Sequence, residues 1–184
     1  MNPLAYTITI FGVVMLLFSG NTTDASIEID TTSSFEDGIQ ALEAKNYQSA
    51  YAIFKMLAEN GDPRAQHNLG TMYLNGIGTY QDADLAVDWY RKAAEQGNAD
   101  AQFNLGNLFR EGTVVKQDYS QAHKWYQMAA AKGDAGAQYS LGMMYANGLG
   151  VIKDHGREAA WMQKAALQGH PKAQWFLAML YEEG

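Results

Sequence analysis

The sequence contains no cysteine. That excludes disulfides, thiolate-ligated zinc, iron–sulfur clusters and a cysteine nucleophile in one step. It also lacks an excess of positive charge, with 13 Lys+Arg against 20 Asp+Glu and a formal net charge of −7. Generic nucleic-acid binding needs a basic surface to displace counterions from phosphates, so the composition argues against it. No catalytic or metal-binding motif is present. His67, His123, His155 and His170 show no metal-ligand spacing, and neither H-E-x-x-H nor G-x-S-x-G occurs. Gly-x-Gly appears at Gly76–Gly78 and Gly148–Gly150, but without the Gly-Lys-Ser/Thr that a phosphate loop requires. The expectation is a non-enzyme with no cofactor and no metal.

A long apolar run is missing as well. The longest, Leu4–Phe18, has fifteen uncharged, mostly apolar residues, fewer than the roughly 20 that a bilayer span takes. Small and polar residues follow it, so residues 1–25 read as a signal peptide and the protein as exported, periplasmic or secreted. The alternatives are an uncleaved anchor through residues 4–18, which would be the one route to a membrane, and a leader packed on the first helices. No cysteine is available for a bacterial lipid anchor. Asn21-Thr22-Thr23 matches the N-glycosylation sequon.

What is present is a repeat. A-Q-x-x-L-G-x-x-[YF]-x-x-G occurs at Ala65–Gly76, Ala101–Gly112 and Ala137–Gly148, and in looser form at Ala173–Gly184, with a constant step of 36 residues. A fixed period of this size marks a solenoid array. After a linker at 26–34, the array is expected over 35–184. Its parts are a first hairpin (35–64), full repeats at 65–100, 101–136 and 137–172, and a terminal half-repeat at 173–184. Apolar spacing is helical throughout. Ser34 or Ser33, Asp62 before Pro63, and Asp82, Asp118 and Asp154 are placed to cap helix starts. Gly38 to Ala50 is twelve residues where Gly70 to Ala86 is sixteen, so the first hairpin should have the shorter connection.

Gly70, Gly106 and Gly142 lie inside the apolar face of the first helix of each full unit. A mid-helix glycine costs about 1 kcal/mol against alanine, so close helix–helix approach is the expected compensation, with Ala178 as substitute in the fourth unit. The second helices carry Ala86, Trp89, Tyr90, Ala93 and Ala94 and their equivalents, read as core, large packed against small. Glu158 replaces an expected alanine and must reach solvent or a partner, which predicts looser packing in that hairpin.

The combined pattern, with Asp82, Trp89-Tyr90, Lys92-Ala93-Ala94 and Gln96-Gly97 in the family's positions, resembles the Sel-one-like repeat family, a relative of the tetratricopeptide repeat. The resemblance covers about residues 35–184. It implies an all-α, right-handed α/α superhelix of antiparallel helix pairs serving as an adaptor for a protein or peptide partner, with no catalytic residues to carry over. The rival reading is an enzyme or accessory factor of envelope polymer metabolism. A purely structural spacer is a third.

In a repeat array, variable positions on the inner face define the binding site. Opposite Leu69 and Tyr73 the first helix carries His67, Thr71 and Leu74. The equivalent positions hold Phe103, Asn107 and Arg110, then Tyr139 and Met143, then Trp175 and Met179. His67, Phe103, Tyr139 and Trp175 form an aromatic ladder on a face expected to be accessible. Asn75, Asn107 and Asn147 are placed to bind main-chain amides of a ligand. The alternative is that the ladder packs along the inner wall. The terminal helix, 173–183, carries many apolar groups and is expected either to cap the stack or to pair two copies of the chain.

Overall fold

A computed structural model describes residues 32–183. Among the described residues there are nine helices and no strand: α1 (Phe35–Glu43), α2 (Tyr47–Glu59), α3 (Pro63–Asn75), α4 (Ala83–Glu95), α5 (Ala99–Glu111), α6 (Tyr119–Ala131), α7 (Ala135–Asn147), α8 (His155–Leu167) and α9 (Pro171–Glu183). Each helix packs on its sequence neighbours, and contacts between more distant helices are sparse. The protein is therefore an all-α solenoid. The segment 1–25, where a leader is expected, and most of the 26–34 linker lie outside the described residues. No described helix is long and apolar enough to cross a membrane.

Local chemistry sets the helix limits. Asp62 accepts from the backbone N–H of Arg64 and Ala65 with Pro63 in the first turn, and Asp82, Asp118 and Asp154 each accept from an amide three residues on. Ser34 and Asp37 form a reciprocal capping box at α1. The first helices of the full units end on Gly76, Gly112 and Gly148 in the left-handed conformation, which glycine adopts without steric cost. The connection between α1 and α2 spans residues 44–46, whereas that between α3 and α4 spans 76–82, so the first hairpin is the tighter one.

The glycines of the apolar face do bring helices together. A methyl group added at Gly70 would sit 2.8 Å from Tyr90 Cδ1, at Gly106 2.5 Å from Tyr126 Cδ1, and at Gly142 2.9 Å from Met162 Cε. Gly38 stands against Phe54 in the same way. Tyr90, Tyr126, Phe54 and Met162 are all buried, among Ala86, Ala93, Ala94 and their equivalents. Burying each such side chain contributes about 1.5–3 kcal/mol. Trp89, Trp125 and Trp161 are half-buried and flank the clusters, so the large core residue of each second helix is the one after the tryptophan. Glu158 is buried and finds its partner in the exposed His155, whose Nδ1 lies 2.6 Å from Glu158 Oε2.

The Gln of each A-Q pair locks one unit to the one before it. Gln66, Gln102, Gln138 and Gln174 donate through Nε2 to the carbonyls of Ala58, Ala94, Ala130 and Ala166. Gln96 then donates to Gln66 Oε1 at 2.7 Å, and Gln168 to Gln138 Oε1 at 2.6 Å. Its presence in all four copies was the sequence signal for this lock.

Candidate functional site

The ladder positions fall into two groups. Over the first two full units they are engaged by the second helices. The His67 ring lies 5.7 Å from the Tyr90 ring, and His67 Nε2 is 3.0 Å from Asn104 Nδ2. Burial holds the His67 imidazole below its ordinary pKa, with Asp100 opposing the shift. Thr71 Oγ1 meets the Tyr90 hydroxyl at 2.9 Å, and Asn107 Oδ1 accepts from the Tyr126 hydroxyl at 2.7 Å. Phe103 packs 5.9 Å from Tyr126. Leu74 is half-buried between the first and second core clusters.

For these positions the expectation of open access is corrected. On α3 and α5 these side chains are half-buried, because the second helix of the hairpin and, at His67, the next first helix lie against them. Leu74 belongs to the packing between units. The amides of Asn75 and Asn147 donate back to the carbonyls of Thr71 and Met143, four residues earlier. Asn107 is bound to Tyr126. Asn107 is thus engaged through its acceptor, and the exposed Asn75 and Asn147 each spend one amide N–H on their own helix. Arg110 is exposed and ion-paired with the neighbouring Glu111, an arrangement that contributes little to stability.

Toward α9 the same positions open. Tyr139 is half-buried and stacks on the ring of His170, the centroids 4.5 Å apart. Met143 is 39% exposed, Trp175 67% and Met179 39%. The change has a chemical cause in the third full unit. Met162 replaces the tyrosine found at positions 90 and 126, so no hydroxyl needs a partner and position 143 can be an outward methionine. Met143 and Met179 occupy equivalent positions on α7 and α9, with Trp175 beside Met179 one turn earlier. Among the described residues no second helix lies against α9 as α4, α6 and α8 lie against α3, α5 and α7, so the exposure of Trp175 and Met179 is that of an unpaired first helix, whereas Met143 is open within a complete hairpin.

A second arrangement is not visible in the repeat pattern. Tyr51 and Tyr73 face each other across α2 and α3, hydroxyl to hydroxyl at 2.8 Å with rings edge-to-face. Two units later His123 and Tyr145 hold the same relation, with Nε2 3.3 Å from the hydroxyl and rings edge-to-face at 5.7 Å. Arg157 Nη1 donates to that hydroxyl at 3.3 Å. Burial, then the nearby guanidinium, lower the His123 pKa. These residues line an open cavity of about 440 Å³ at the loop edge of the solenoid. Both pairs are 22 residues apart in sequence, a spacing with no meaning within one helix. Among the described residues no group of three or more His, Asp or Glu side chains is arranged to hold a metal ion.

Comparison with known proteins agrees with this architecture. The model of the Sel1 repeat matches residues 34–62, 63–98, 99–134, 135–170 and 171–184. No curated protein sequence matches. Among solved structures, the chain is similar to c5321, a protective antigen of uropathogenic Escherichia coli with an SLR fold (36% identity, TM-score 0.77, covering 82% of this chain and 33% of that one). It is also similar to a Sel1 repeat protein from Oxalobacter formigenes (34% identity, TM-score 0.76, covering 82% and 60%). Cysteine rich protein B of Helicobacter pylori shares the fold at 20% identity (TM-score 0.53, covering 79% and 98%). The chain thus spans a third of the length of the first of these and three fifths of the second.

Proposed function

The chain belongs to the Sel1 repeat family, and from that premise we propose that it is a scaffold that binds a peptide or protein partner along the first-helix face, anchored on Met143, Trp175 and Met179. Sel1 repeat proteins are generally non-catalytic scaffolds for protein interaction. The observation that supports this particular surface is the 39% exposure of Met143 on a helix that is covered by its own second helix, at the position where Thr71 and Asn107 are half-buried and bonded to Tyr90 and Tyr126. Tryptophan and methionine are enriched at the centres of protein interfaces, where desolvating them gives most of the binding energy. A peptide lying on this face would reach Tyr139 and His170 at its edge, and Arg110 further along. No Asp or Glu occupies the ladder positions of the three full units, which favours binding over polymer hydrolysis.

Selection from a random peptide display library tests the reading. Peptides enriched on the wild-type chain are expected to lose about tenfold or more in affinity for Trp175→Ala and Met143→Ser, with unchanged melting. Equal binding to wild type and both variants overturns it. If two copies of the chain cover this face instead, sedimentation of the wild type will depend on concentration and that of Trp175→Ala will not.

The proposal includes export, on the strength of the apolar run Leu4–Phe18. Expression of the full chain in a bacterial host with an intact secretory system should yield an extracytoplasmic product shortened near residue 25. A full-length cytoplasmic product would reject export.

A further inference from the structure

The cavity at the loop edge is a second candidate for recognition. It is lined by His123, Gln127, Tyr145, Asp154 and Arg157, with Val151 and Ile152 on the connection between α7 and α8. It shares no residue with the Met143–Trp175–Met179 face.

The repeat itself shows what this space accepts. Seventy-two residues earlier, the positions of His123, Tyr145, Ile152 and Arg157 are held by Tyr51, Tyr73, Tyr80 and Leu85. There the ring of Tyr80, 67% exposed, lies at the surface against Tyr73, edge-to-face with centroids 6.0 Å apart. In the third full unit the residue at the Tyr80 position is Ile152, which is 90% exposed. It leaves the aromatic position beside Tyr145 without a ring. The same unit also changes Leu85 to Arg157, placing a guanidinium 5.4 Å from the Tyr145 ring centre. Its Nε is ion-paired with Asp154 Oδ2 at 3.3 Å and its Nη1 donates to Tyr145, leaving Nη2 for an incoming acceptor. The side chain is 65% exposed, so an acceptor can approach from solvent.

We propose that this cleft takes an aromatic residue at the C-terminus of a partner chain. The ring would fill the position that Tyr80 fills in the first full unit, edge-on to Tyr145 and against Val151 and Ile152. The terminal carboxylate would be held by Arg157. Aromatic pairs favour the edge-to-face arrangement that the first unit already displays, and a guanidinium is the side chain suited to a carboxylate. The repeat supplies the ring position, and the substitution Leu85 to Arg157 supplies the charge.

The test uses the full chain and three small probes, N-acetyltyrosine, N-acetyltyrosinamide and N-acetylalanine, followed by NMR. N-acetyltyrosine should produce saturable shifts of the His123 and Tyr145 side-chain resonances. The amide should bind about fivefold or more weakly and N-acetylalanine not measurably. Arg157→Leu, which restores the residue of the first unit, should abolish the preference for acid over amide while leaving residual binding of the ring. Ile152→Tyr should close the cleft from within and weaken N-acetyltyrosine about tenfold. Both substitutions replace exposed side chains with residues that the repeat already uses, so the fold is retained. Absence of saturable shifts at His123 and Tyr145, or wild-type binding by Ile152→Tyr, overturns the proposal. Neither result bears on the first-helix face.

Discussion

Lys132 stands at the position from which Gln96 and Gln168 donate in the flanking units, and Gln102, the side chain it would have served, is buried with its Oε1 unbonded. The lock between units is thus complete at Gln66 and Gln138 and half-made at Gln102. A buried acceptor without a donor costs about 1–3 kcal/mol relative to a satisfied one. Lys132→Gln is expected to restore the bond and raise stability by about 1 kcal/mol, read as a higher urea midpoint with an unchanged slope. A midpoint at or below that of the wild type would show that the Gln–Gln bond has no net value here.

Gly106 and Gly142, at matching sites on the apolar face of α5 and α7, should respond unequally to alanine. At Gly106 the added methyl meets the Tyr126 ring at 2.5 Å, and that ring is fully buried and tied by its hydroxyl to Asn107. At Gly142 it meets the flexible end of Met162, while the helix gains about 1 kcal/mol in propensity. Gly106→Ala is expected to lose about 1–3 kcal/mol by overpacking and Gly142→Ala to stay near the wild type. The order of the two denaturation midpoints checks this.

Among the described residues Glu158 is the one buried carboxylate, at the position of Ala86 and Ala122. Its partner His155 is exposed, so removing the carboxylate strands no buried charge. Glu158→Ala is expected to stabilise the α7–α8 hairpin by about 1 kcal/mol, since alanine is the residue the other units bury at this position and a carboxylate taken out of water against a single exposed partner is costly. Thermal unfolding should move up by about 2–4 °C. A fall in melting temperature would show that the His155–Glu158 contact outweighs the cost of burial.

Stability should depend on pH through His67 and His123. Both have folded-state pKa values lowered from 6.5, first by burial, with Arg157 adding to the shift at His123 and Asp100 opposing it at His67. Below about 6.5 the unfolded chain therefore binds more protons than the folded one. Their contribution is complete above that pH, declines as pH falls through it, and levels off below the folded values. His67→Phe and His123→Val, the residues at positions 103 and 87, should together flatten the denaturation midpoint between pH 7 and about 5.5. An unchanged slope in the double variant would assign the acid loss to other groups.

The architecture was legible because its causes are local and repeated. Caps at Asp62, Asp82, Asp118 and Asp154 act on amides two or three residues away, and the 36-residue period shows that each hairpin meets the same neighbour. The approach at Gly70, Gly106 and Gly142 could be inferred because no other reason keeps glycine at matching mid-helix sites. The candidate site was less legible. A helical projection places His67, Phe103, Leu74 and Met143 on one side of their helices, but treats them alike.

The sequence by itself determined that this protein is an array of helix pairs, which residues cap several of the helix starts, and which residues set the spacing between helices, since all of these follow from contacts within one unit or from its repetition. Only the tertiary structure decided which variable positions are open. That depends on differences between units: the hydroxyls of Tyr90 and Tyr126 engage Thr71 and Asn107, whereas Met162 releases Met143, and Tyr80 fills beside Tyr73 a position that Ile152 leaves open beside Tyr145. Accessibility is a property of the space between helices, and a single helix carries no record of what closes on it.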